Sequence, residues 1–169
     1  AITPPDLLGI TATVVEERPR RYSFGAEFSS LDGASVTASW MHRNLRGGGE
    51  RLRIEGGVGQ IGAQNSGTDY TVGVTLDRPA TFGPDITASV LARLEHLDEE
   101  DYLADTAPLG LGLTRYVSQR LTLRAGLRYA WSEVEDDLGT ATYRTVALPL
   151  GVLRDDRDAP LDARRGSYL

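Results

Sequence analysis

Stretches in which every second residue is apolar, cut apart by turn signals, recur along the whole chain, and this two-residue period constrains the fold most. Tyr70, Val72, Val74 and Leu76 alternate with Thr71, Gly73 and Thr75. Leu121, Leu123, Ala125, Leu127, Tyr129 and Trp131 alternate with Thr122, Arg124, Gly126, Arg128 and Ala130. Such alternation suits a strand with lipid or core on one side and a packed polar interior on the other. In the second stretch the inner row carries two arginines where a soluble core would want aliphatic side chains.

The 169 residues suffice for one ordinary domain. There is no cysteine, so neither a disulfide framework nor a thiolate metal site is available. With only His42 and His96, a histidine-rich metal centre is also excluded. A formal charge of −6 argues against nucleic acid as a partner, because phosphate contacts need a basic face. All 18 basic residues are arginine. A GC-rich coding bias is the first explanation, and guanidinium forks bridging carboxylates inside a barrel are the second. No apolar run reaches the roughly 18–20 residues of a membrane helix. The negative mean hydropathy does not exclude a membrane barrel, since only half of each strand meets lipid. Ala1–Asp6 lacks the basic and apolar regions of a signal peptide, so for an exported protein the beginning is expected to lie upstream.

Residues 8–18 read as a strand stopped by Pro19. Tyr22, Phe24, Ala26 and Phe28 then face one way, with Ser23, Gly25 and Glu27 opposite, up to a turn at Leu31-Asp32-Gly33. Further strands are centred on Val36–Trp40, Leu52–Val58, Tyr70–Leu76, Ile86–Leu94, Leu109–Leu113, Leu121–Trp131 and Val146–Val152. Pro149 has the opposite parity in the last of these and marks a strand end or a bulge. The pattern predicts an all-β, antiparallel, up-and-down transmembrane barrel or barrel fragment of about eight strands.

The charges sort by end. Alternate connections hold Asp32, Asp69, Asp98, Glu99, Glu100, Asp101, Asp105, Glu133, Glu135, Asp136 and Asp137, with no arginine. The opposite connections hold Arg43, Arg46, Arg51, Arg78, Arg120, Arg154, Arg157, Arg164 and Arg165, mixed with acids. The long acidic loops are expected outside the cell, with the chain entering from the periplasm. Tyr22, Trp40, Phe82, Tyr129, Trp131 and Tyr143 fall near predicted strand ends, where aromatic rings sit at headgroup level or simply pack on the strand.

From Tyr143 to Gly166 the chain reads Y-R-T-V-A-L-P-L-G-V-L-R-D-D-R-D-A-P-L-D-A-R-R-G. A strand followed by R-D-D-R-D-x-P-L-x-x-x-x-G and a new strand resembles the bacterial surface antigen superfamily, the outer-membrane barrels that assemble or export proteins. The run E-E-R-P-R-R-Y-S-F-G-A-E-F-S-S-L-D-G resembles the passage from the last periplasmic POTRA domain into the first barrel strand. Within the superfamily the likeness is to the TamA type of the translocation and assembly module. It implies that residues 1–19 end a POTRA domain and linker. Residues 20–169 would then be the N-terminal half of a barrel of about sixteen strands, a ninth starting at Ser167-Tyr168-Leu169.

The resemblance further implies bacterial outer-membrane localisation and work without cofactor or covalent chemistry. Implied partners are outer-membrane lipids, unfolded outer-membrane or autotransporter substrates, and a periplasm-spanning partner subunit. The implied substrate-pairing edge is Tyr22, Ser23, Phe24, Gly25, Ala26, Glu27 and Phe28, with Gly25 permitting a distorted seam. The family's turn motif falls on Asp156, Arg157, Asp158, Pro160 and Gly166, read as structural, with an ion-pair cluster of Asp156, Arg157 and Asp158 bracing the turn. Other superfamily barrels are the alternatives: the main assembly subunit, a two-partner secretion transporter or a patatin-linked barrel. A self-contained eight-stranded structural or adhesion barrel is the alternative from another class. Left alone, the open fragment is expected to close, to self-associate through its strand edges or to need detergent.

His96 near Asp98, Glu99 and Glu100 invites a protease reading, but one histidine beside an acidic loop reads as a solvated face. Gly47-Gly48-Gly49 lacks a Walker pattern and reads as a turn. Those acidic loops lack EF-hand spacing.

Overall fold

The computed structural model describes residues 2–3, 7–8, 11–13, 15, 17–159 and 161–169. Two short strands, β1 (Ile2–Thr3) and β2 (Leu7–Leu8), pair with each other. One antiparallel sheet follows. Its strands are β3 (Arg20–Ser29), β4 (Gly33–Arg43), β5 (Arg51–Ile61), β6 (Asp69–Arg78), β7 (Ile86–Asp98), β8 (Tyr102–Ser118), β9 (Leu121–Asp136), β10 (Gly139–Ala147) and β11 (Leu150–Arg154). Each pairs with its neighbour in sequence from β3 to β10, and β11 also lies along β9. β10 and β11 are two halves of one row, so the meander has the expected eight rows.

The break at Leu148-Pro149 follows from chemistry: proline has no N–H to give the ladder. Its carbonyl still accepts the Gly126 N–H at 2.9 Å, which keeps both halves against β9. Among the described residues the strand expected over 8–18 does not form. Residues 11–13, 15 and 17–18 are outside any strand, Leu8 ends β2, and the rest of that span lies outside the described residues. Alternation alone does not make a strand where no neighbouring ladder pairs with it.

Cross-strand registers define the two faces. Tyr70, His96, Asp105 and Glu133 share one face, as do Val72 with Leu94 and Leu109 with Tyr129. Glu55, Gly73 and Arg93 share the other. No second layer covers the sheet: Ala104 is the one buried apolar residue among those described. Phe24 is 82 % and Leu150 80 % exposed on the apolar face, whereas the side chains of Arg93 and Glu55 on the polar face are 35 % and 30 % exposed. The polar face is therefore the more crowded side. The apolar face is a continuous patch far larger than water tolerates on a monomer, and lipid is the solvent it fits.

Three sequence expectations shift. β7, β8 and β9 run 13, 17 and 16 residues, beyond the roughly 9–11 that span a membrane. Asp98, Asp105, Glu133, Glu135 and Asp136 consequently lie on these strands and not in loops, and Asp69 opens β6. Alternation ends where a strand leaves lipid, because both faces are then wet, although the ladder continues. Tyr143 is directly opposite Ser132 on the polar face, so it is not a headgroup-level ring of the apolar face.

Candidate functional site

The two outermost strands of the sheet, β3 and β10, are its least covered elements. Every residue of β3 but Ser29 is exposed, and among the described residues β3 pairs only with β4. Its other edge, carrying Tyr22 to Phe28, presents unpaired backbone N–H and C=O groups. The ladder to β4 runs without a register shift from Arg20↔His42 to Ser29↔Gly33. Gly25 causes no distortion within that ladder. Opposite it stands Thr37, whose Oγ1 would lie 2.7 Å from a Cβ at position 25, so the glycine makes room for a hydroxyl. The approach to β3 is anchored: the Arg43 N–H donates to the Pro19 carbonyl at 2.7 Å, and Arg43 forms an ion pair with Glu17.

Behind this edge the polar face holds a hollow of about 540 Å³ floored by Gly25, Gly57 and Gly59. Beside it runs a charge relay. Arg53 Nε is 3.2 Å from Glu55, Arg93 Nη2 is 2.7 Å from Glu55, and Arg93 Nη1 is 3.1 Å from Glu95. Here guanidinium forks do bridge carboxylates across the wall, the second of the two sequence readings of an all-arginine chain.

The turn motif is built differently from its expected form. Asp155, outside the motif as read, takes Arg157 in a fork: Nε to Oδ1 and Nη2 to Oδ2, both 2.8 Å. Asp156 pairs with Arg154. Asp158 pairs with no side chain of the trio; its Oδ1 accepts the backbone N–H groups of Ala159, Arg164 and Arg165. The expected cluster of Asp156, Arg157 and Asp158 is thus replaced by two i,i+2 pairs and one backbone cap. An extended chain puts residues two apart on one face, so Asp155 meets Arg157 and Arg154 meets Asp156. The Arg157 fork holds the Asp155 carboxyl down to about 2, and the backbone N–H donors lower that of Asp158.

Past the turn the chain returns antiparallel. Arg154 and Leu169 exchange two backbone hydrogen bonds of 3.0 Å, and the Arg157 guanidinium lies 4.7 Å over the Tyr168 ring. Ser167-Tyr168-Leu169 does begin a new pairing. Gly166 has φ 102°, and a Cβ there would be 2.1 Å from the Asp156 carbonyl oxygen, so the motif glycine is a steric necessity. Pro160 lies outside the described residues.

His96 does not gather the acids expected near it. Its Nδ1 is 2.7 Å from Asp105, while Glu99 accepts from Gln60 Nε2 and the Asp98 N–H donates to Asp69. Sequence reading missed Asp155 and Tyr168, although their i,i+2 and cross-turn positions are visible once the return strand is drawn.

A comparison with curated proteins finds no match to the chain. A family model, the Omp85 superfamily domain, matches residues 44–169 and so takes in every strand from β5 onward. With the single-layered antiparallel wall, its lipid-facing side and the braced return turn, this places the protein in the Omp85 superfamily of outer-membrane barrels that assemble or secrete proteins.

Proposed function

We propose that the chain is the N-terminal half of a bacterial outer-membrane assembly barrel of TamA type, which helps autotransporter or other β-barrel substrates insert. The observation that carries this reading is the bare edge of β3, exposed along Arg20–Phe28 and, among the described residues, partnered on one side only. A substrate strand joins such an edge by main-chain hydrogen bonds, which make little demand on its sequence, so one edge serves many substrates. The reaction needs no cofactor: free energy comes from backbone pairing and from burying the new strand's apolar row in lipid. Glu17 and Pro19, tied to Arg43, would transmit the position of a preceding POTRA domain to that edge. A periplasm-spanning partner subunit would deliver substrate from that side. In a bilayer an open sheet leaves edge groups unsatisfied, so further strands or a second copy must complete the wall.

Single cysteines at Tyr22 through Phe28, set against cysteines in a stalled substrate, test the reading. Disulfide adducts that follow strand register along β3 are expected. Adducts confined to other strands would overturn it.

A further inference from the structure

The polar face of β9 carries two arginines in a setting unlike that of Arg53 and Arg93. Neither Arg124 nor Arg128 has an ion-pair or side-chain hydrogen-bond partner among the described residues. The registers explain why. Crossing the sheet from Arg128, the facing residues are Gly110, Leu91, Thr75 and Arg53. From Arg124 they are Thr114 and Thr87. Neither lane holds an acid, whereas the lane of Arg93 reaches Glu55.

The stems have been given room. Arg128 Cγ lies 3.8 Å from where a Cβ of Gly110 would be, and Arg124 Cβ lies 3.7 Å from that of Gly151. Between the arginines Gly126 stays bare, because a Cβ there would come 2.9 Å from the Leu111 carbonyl oxygen and 3.1 Å from Pro149 Cγ. The result is a groove of about 340 Å³ with both arginines on one side and Thr75, Ser89, Leu91 and Gly112 on the other, and its one acid, Asp77, lies three strands from Gly126 in the lane between the arginines.

We propose that this groove binds an extended polypeptide segment whose carboxylate side chains are four residues apart. Arg124 and Arg128 are themselves four apart on a strand, about 13 Å, and share a face. An extended chain laid alongside repeats that distance between its own residues four apart. Each guanidinium takes one carboxylate as a two-pronged fork. A lone small anion meets only one fork. The glycine and hydroxyl floor admits a main chain where larger side chains would fill the space. This site uses the polar face and not the β3 edge, so it stands or falls separately from substrate-strand pairing.

The test uses the purified chain in detergent micelles and fluorescein-labelled Ser/Thr peptides read by anisotropy. One peptide carries Glu at positions four apart, a second has Glu three apart and therefore on opposite faces, and a third has Gln at both sites. The first is expected to bind at least about tenfold more tightly than the others, as two charge-assisted forks require. The R124Q/R128Q variant, checked for folding by heat-modifiable gel mobility, should lose that preference, and millimolar acetate should not displace the peptide. Equal binding of the three peptides, a preference retained in R124Q/R128Q, or full displacement by acetate would each overturn the proposal. Should the double variant fail to fold, the spacing comparison on the unaltered chain decides.

Discussion

Arg93 reaches across the whole of strand β6 to put its Nη2 2.7 Å from Oε1 of Glu55 on β5. Strands two apart are separated by about 10 Å, so the lane between must be clear. Gly73 clears it: a Cβ there would already lie 3.4 Å from both Arg93 Nε and Glu55 Cγ. A leucine at this position, Gly73→Leu, is expected to sever the bridge and lower stability by about 1 kcal/mol or more. Glu55→Gln should have the same sign and a smaller size. Urea midpoints in micelles, read by gel mobility, check both; equal midpoints for Gly73→Leu and the parent chain would refute the bridging role.

The two faces make opposite predictions for labelling, and the absence of native cysteine makes them easy to read. In bilayers, a fluorescent probe on Val72→Cys or Val74→Cys should be quenched by brominated lipid. One on Thr71→Cys or Thr75→Cys should respond instead to a water-soluble quencher, because neighbours along a strand face opposite ways. Quenching that ignores parity would remove the lipid-facing assignment.

Asp155 is lowered from 3.8 to about 2, chiefly by the Arg157 fork. A carboxyl more acidic when folded contributes stability in full above 3.8, and that contribution is lost as pH falls through about 2. Carbon-13 titration of the Asp155 carboxyl in micelles should therefore show a midpoint near the folded value. In Arg157→Gln the midpoint should climb back toward 3.8. A midpoint that the substitution leaves in place would separate the shift from the fork.

Gly166→Ala meets both a positive φ and a carbonyl oxygen 2.1 Å from the new methyl group. Its cost is expected at about 1–3 kcal/mol, felt locally. Faster tryptic cleavage at Arg164 and Arg165 would report the opened turn. Gly47→Ala is the control: its φ is 90°, yet nothing stands within 4 Å of a Cβ there. It should cost less and leave the cleavage at Arg164 and Arg165 unchanged.

The sequence by itself determined the row order, the two faces and the place of the break. Alternation at Tyr70–Leu76 and Leu121–Trp131 is a direct imprint of a pleat between two unlike solvents, and Pro149 cannot give a ladder hydrogen bond wherever it lies. The absence of a strand at the described residues within 11–18 was not legible in that way, since a strand exists only with a partner beside it. Nor were the true lengths of β7 to β9, because alternation falls silent once both faces are wet. Tertiary structure alone decided which charges meet across strands. Arg93 and Arg128 are the same residue type on the same face, but the register puts Glu55 in the lane of one and Gly110, Leu91, Thr75 and Arg53, with no acid, in the lane of the other. Partnership across a sheet depends on strands far apart in sequence, and the spacing within one strand does not encode it.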